Sequence, residues 1–127
     1  MGIKNLKKRT SIIIYHNPKC SKSRQTLDLI KDRNIDPKII LYLEEKFSYQ
    51  ELTDIILQLG ISPRDLLRKG EVEYKENNLD NIKLSDDEII NLMVHFPKLV
   101  ERPIVVKGNQ TILGRPPENV LKLIEKK

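Results

Sequence analysis

Residues 12–24 read Ile-Ile-Ile-Tyr-His-Asn-Pro-Lys-Cys-Ser-Lys-Ser-Arg. Ile12 to Tyr15 are a short apolar run of β-branched and aromatic residues, which predicts a buried strand. His16-Asn17-Pro18-Lys19-Cys20 carries turn residues, and Ser21 to about Arg33 reads as a helix with Leu27 and Ile30 on its apolar side. Asn34 and Pro37 end that helix, and Ile39 to Leu43 is a second apolar run. Strand, helix, strand over this span predicts two parallel strands joined by a crossover.

Beyond this opening the periodicity changes. Ser48 and Glu51 have the spacing of a capping box, and Leu52, Ile55, Ile56 and Leu59 fall on one helical face that stops at Gly60. Ser62-Pro63 starts a short helix expected to run out at Gly70, with Arg68 near its end. Ser85 and Glu88 form a second box ahead of Ile89, Leu92, Met93 and Phe96, and Pro97 closes that helix. Strand signals return at Ile104 to Val106 and Thr111 to Leu113, around the turn Lys107-Gly108-Asn109-Gln110. Pro116-Pro117 opens a last helix through Val120, Leu121 and Ile124. The expected fold class is α/β: a four-stranded sheet with an all-helical insertion, in a single domain. Its core covers residues 11–43 and 101–126, its insertion 44–100, and residues 1–10 form a basic tail.

Composition sets bounds on function. The chain has 127 residues, 39% hydrophobic and 32% charged, which fits one globular domain and excludes a disordered chain. No apolar run approaches the roughly 20 residues of a membrane span, and the basic N-terminus lacks the apolar stretch of a secretory signal. Cys20 is the one cysteine, so an internal disulfide is impossible and a cysteine-built metal site is not expected. The cytoplasm is the expected compartment. The formal charge of +5 invites a nucleic-acid reading. However, aromatics are 5% and tryptophan is absent, so the stacking platforms of single-strand binders are largely missing. No nucleic-acid or membrane partner is expected.

The charge is also local. Met1 to Leu27 holds Lys4, Lys7, Lys8, Arg9, Lys19, Lys22 and Arg24 with no acid, whereas Glu71 to Glu88 is rich in carboxylates. Cys20 therefore sits among cations at a strand-to-helix junction. Ligands bind open α/β sheets at the carboxyl ends of the strands, and a helix start offers unpaired N–H groups to an anion. Such surroundings lower a thiol pKa and favour a nucleophilic thiolate; the alternative is an inert buried cysteine. The spacing departs from two familiar cysteine chemistries. A phosphatase loop uses Cys-x5-Arg, but here three residues separate Cys20 from Arg24. A dithiol redox motif needs a second cysteine at position 23, which is Ser23. His16, four residues before Cys20, is either a thiolate partner or a strand-end histidine bonded to backbone.

Residues 14–24, together with Gly60-Ile61-Ser62, Leu66-Leu67-Arg68-Lys69, Glu101-Arg102-Pro103-Ile104-Val105-Val106 and Gly114-Arg115-Pro116, resemble the glutaredoxin-dependent arsenate reductase family. The resemblance covers residues 11–125 with the motifs in the family's order. It implies a thioredoxin-like mixed sheet, Cys20 as nucleophile and His16 assisting it. It implies Arg68, Arg102 and Arg115 as oxyanion-binding residues, and Asn17, Ser23, Arg24 and Pro103 as the supporting loop, with Pro103 in the cis position. It also implies arsenate as substrate and arsenite as product, glutathione as co-substrate, glutaredoxin as partner, and no bound cofactor or metal. Read from the residues alone, Arg68 could instead cap its own helix. Two alternatives stay open: an Spx-type transcription regulator that binds RNA polymerase, and a related thiol-linked oxidoreductase with another substrate. The lone cysteine agrees with a scheme in which the second thiol is external.

Overall fold

Short β-branched runs pair into strands and the 3.6-residue periodicities form helices. In chain order these are β1 (Ile12–His16), α1 (Ser21–Asp32), β2 (Lys38–Leu41), α2 (Tyr49–Leu59), α3 (Val72–Glu76), α4 (Asp86–His95), β3 (Ile104–Lys107), β4 (Gln110–Leu113) and α5 (Leu121–Ile124). The structure is a computed structural model and describes residues 11–124. The basic tail expected at 1–10 lies outside the described residues. Among those described, no helix is long and apolar enough to cross a membrane.

The chain divides into two compact units, one formed by the described residues up to Leu41 and from Arg102 onward, the other by Tyr42–Glu101. The first unit holds the whole sheet, in the order β2-β1-β3-β4. β1 runs parallel to β2, with Ile13 to His16 opposite Lys38 to Leu41. It runs antiparallel to β3, which pairs antiparallel with β4. The mixed four-stranded sheet matches the expected fold class. Ile12, Ile14, Ile30, Val105, Val120 and Leu123 form its buried core; Ile30 and Val120 are residues that the periodicity selects, Leu123 is not, and Leu27, Leu121 and Ile124 pack against the core partly buried. Gly108, at the first central position of the β3–β4 turn, has φ +62, as a two-residue hairpin requires.

β2 is shorter than the apolar run suggests. The run was expected to pair through Leu43, but β1 ends at His16, opposite Leu41, and leaves Tyr42 and Leu43 no strand to pair with. Tyr42 instead belongs to the second unit, where its ring lies 5.4 Å from that of Phe47. The final helix also differs. Pro117–Val120 is a 3-10 turn, and among the described residues of this segment Leu121–Ile124 are α-helical.

In the second unit both capping boxes form as read. Ser48 Oγ accepts from Glu51 N–H and Ser85 Oγ from Glu88 N–H, and each glutamate returns a bond to its serine N–H. Gly60 ends α2 in the left-handed region at φ +70. Leu52, Ile55 and Ile56 of α2 and Ile89, Ile90 and Met93 of α4 are buried. The helix expected between Pro63 and Gly70 is only a 3-10 turn, Pro63–Leu66. Leu67 forms a β-bridge with Val100, Arg68 N–H donates to Leu99 O at 2.8 Å, and Glu101 N–H donates to Leu66 O at 2.9 Å. These main-chain bonds to another segment stop the turn from continuing. α3 was not foreseen, and none of its residues is buried.

Candidate active site

Cys20 is the N-cap of α1, with extended backbone at φ −98 and ψ 123. Asn17 builds the turn before it. Its Oδ1 accepts Lys19 N–H and its carbonyl accepts Cys20 N–H, both at 3.0 Å. Arg24 reaches back from α1 and donates through Nη1 to Pro18 O at 2.8 Å. The loop is thus tied down at both sides of the cysteine, which is itself half-buried.

The sulfur faces donors. Cys20 makes no regular side-chain capping bond, yet the first-turn amides lie near enough to favour its charge. Burial pushes the thiol pKa up. Against this act the Ser23 N–H, the hydrogen bond and charge of Arg102, and the Lys22 N–H, and the net result is a pKa below the ordinary thiol value. Arg115 Nη1 stands 4.0 Å from the sulfur and donates to Arg102 O at 3.1 Å. Asn119 Nδ2 donates to Arg115 O and Leu113 O, fixing the main chain that carries this arginine. The flanking cations work differently from the simple expectation: Lys22 acts through its main chain, and Arg24 serves as a loop tie.

Arg102 precedes β3 and Arg115 follows β4, so the antiparallel β3–β4 pair brings both to one end of the sheet. The Arg102-Pro103 bond is cis, as the resemblance implied, and Arg115-Pro116 is cis as well. Pro103 is buried, and its carbonyl accepts Gly114 N–H at 2.9 Å. A Cβ at Gly114 would come within 2.5 Å of Thr26 Oγ1 and 2.8 Å of Pro103 Cγ. Glycine is therefore required where β4 passes α1 on the way to Arg115. Neither the role of Thr26 nor the need for Gly114 is legible in the sequence, because close approach between chain segments leaves no periodic signal.

His16 is buried, and its Nδ1 lies 2.6 Å from Ser23 Oγ. Its partner is therefore a side chain and not the backbone. Burial, then the charges of Arg24 and Lys31, lower its pKa and favour the neutral ring. His95, on α4, is exposed, and its Nδ1 meets Asn91 O at 3.3 Å.

Arg68 lies in the second unit. Its Nε is 3.2 Å from Glu71 Oε2 and its Nη1 2.5 Å from Glu101 Oε1. The possibility that it caps its own helix is overturned, since the turn ends at Leu66 and the guanidinium is held by two carboxylates. Arg68 and Glu71 are three residues apart, but the chain between them is a turn and not a helix, so no helical period marks the pair, and Glu101 carries no local signal. The first unit thus gathers His16, Asn17, Cys20, Ser23, Arg24, Arg102, Pro103 and Arg115. Among the described residues no group of three or more His, Cys, Asp or Glu could hold a metal ion.

A thiolate under two guanidiniums can attack an electrophilic centre that carries anionic oxygens. The profile of the ArsC family matches residues 15–123. The chain belongs to the ArsC family. It is 46% identical over 115 residues to the arsenate reductase of Haemophilus influenzae, spanning 90% of this chain and 99% of that protein. It is 48% identical over 112 residues to the uncharacterised protein YfgD of Escherichia coli K12, spanning 87% of this chain and 94% of that one. The solved structure of an arsenate reductase from Vibrio cholerae superposes with a TM-score of 0.89 at 48% identity, covering 92% of this chain and all of the other. The thioredoxin-like frame and the recognised family therefore stand together.

Proposed function

We propose that this chain is an arsenate reductase that works through a covalent adduct on Cys20 and takes its electrons from glutathione and glutaredoxin. The observation that carries this reading is the convergence of Arg102, Arg115 and the first-turn amides on one sulfur whose pKa is lowered.

The steps follow from the residues. The Cys20 thiolate attacks arsenic of a protonated arsenate, a sulfur–arsenic bond forms, and one oxygen leaves as water after taking up protons. Arg102 and Arg115 balance the oxygens, a task suited to arginine because its fork makes paired bonds and does not lose its proton. Glutathione thiolate then attacks the Cys20 sulfur. The sulfur–arsenic bonding pair passes to arsenic, which leaves as As(III), and Cys20 is left in a mixed disulfide with glutathione. A glutaredoxin thiol attacks the glutathione sulfur and releases Cys20. The family motif assigns Arg68 to the As(III) product. With one cysteine in the chain, the adduct needs this external thiol.

Turnover of arsenate with glutathione and glutaredoxin, compared between the wild type and Cys20→Ser, tests the reading. Activity in the wild type alone supports it, and equal rates in both end it. Replacing glutaredoxin with thioredoxin identifies the donor. Absence of turnover together with capture of RNA polymerase would favour the regulator alternative.

A further inference from the structure

Ser23 is fully buried in the first turn of α1, and its position leads to an assignment for the histidine. Two groups meet its hydroxyl oxygen. Asn17 N–H, 3.0 Å away, can only donate, and His16 Nδ1, 2.6 Å away, can donate or accept. The hydroxyl has a single proton to place. Among the described residues the one acceptor within reach is Nδ1. The opposite arrangement, with Nδ1–H donating, would bury a hydroxyl proton with no acceptor.

We propose that Ser23 is a positioning residue for the Cys20 chemistry: its hydroxyl donates to His16 Nδ1 and holds the imidazole as the neutral Nε2–H tautomer. The lone pair on Nδ1 is then engaged, so that nitrogen is not the base that takes the Cys20 proton. His16 acts as a fixed acceptor that orients Ser23. Ser23 in turn holds Asn17 N–H with its oxygen and turns its own main-chain N–H toward the sulfur. One residue thereby links the loop before Cys20 to the helix start behind it. The charged groups around the ring, Arg24 and Lys31 on α1, disfavour its protonation and leave the neutral tautomer in place. The inference rests on Cys20 as the reacting group but not on which oxyanion it attacks.

The test is the long-range proton–nitrogen spectrum of ring-labelled histidine at neutral pH. Only two histidines are present, and a His95→Gln variant separates their signals. The wild type is expected to show one neutral Nε2–H ring for His16, Ser23→Ala to lose that single tautomer, and Ser23→Thr to keep it. In parallel, Cys20 alkylation near pH 7 is expected to slow about fivefold in Ser23→Ala, the scale of one lost hydrogen bond, and to recover in Ser23→Thr. An Nδ1–H or charged His16 ring in the wild type overturns the proposal, as does an unchanged ring spectrum in Ser23→Ala. If Ser23→Ala does not fold, the wild-type tautomer decides alone. Neither readout needs turnover, so absence of arsenate reduction would remove the substrate reading and leave this assignment standing.

Discussion

Arg115 donates through Nη1 to the main-chain carbonyl of Arg102 at 3.1 Å. The same nitrogen stands 4.0 Å from Cys20 Sγ. One guanidinium therefore spans the carbonyl of its neighbour and the sulfur, and its fork is oriented before any anion arrives. Lysine offers a point charge on a flexible stem and cannot reproduce that span. Arg115→Lys is predicted to lower kcat/KM for arsenate by about 10- to 100-fold, the scale of a lost charge-assisted bond. Steady-state kinetics check this, and a variant within twofold of the wild type would show that orientation is unimportant.

Gly114 positions that arginine by letting β4 pass close to α1. Gly114→Ala forces a Cβ against Thr26 Oγ1 and Pro103 Cγ. The expected cost is about 1–3 kcal/mol, seen as a lower Tm, together with a loss of activity larger than the stability change explains. An unchanged Tm would mean that the segment yields freely.

The titrating groups give stability a pH dependence whose sign is fixed. The folded pKa of Cys20 lies below its ordinary value, so its contribution is complete above the ordinary thiol range and is lost as pH falls through the folded value. His16 is also lowered, so the unfolded chain takes up its proton first, and stability falls as pH drops below the ordinary histidine value of about 6.5. Denaturant melts across this range should show the wild type losing stability on acidification. Cys20→Ser should flatten the upper part of the curve and His16→Gln the lower part. Parallel curves for all three proteins would remove both contributions.

Arg68 gives a separate prediction. Its two ion pairs are partly exposed, with 22% of the Arg68 side chain and 26% of each glutamate's open to solvent, so each is worth no more than about 1 kcal/mol. Glu101→Gln should therefore unfold close to the wild type in a thermal melt. If Arg68→Ala also stays folded but loses activity, the arginine works in the reaction; if it unfolds and retains specific activity, Arg68 is a tie between segments.

Much of this was legible in the residues because the signals were local. The Ser48 and Ser85 boxes, the Gly60 stop and the β3–β4 turn each depend on a few neighbours, and all formed as read. The family motifs likewise named Arg102 and Arg115, which lie beside the Cys20 sulfur, and Arg68, which lies in the second unit. What escaped depends on partners distant in the chain. β2 stops at Leu41 because β1 ends at His16, and the 3-10 turn stops at Leu66 because Leu67 bridges Val100. α3 buries no residue and so leaves no apolar period to detect. The Ser23–His16 bond joins a strand end to a helix start across an intervening turn, so the period of neither element carries it.

The activation of Cys20 is tested most directly by its alkylation rate as a function of pH, measured with and without arsenate. The predicted midpoint lies clearly below the free-thiol value of about 8.5, with arsenate slowing the reaction by occupying the site. A midpoint at or above that value, unaffected by the anion, would contradict a thiolate held ready beneath Arg102 and Arg115.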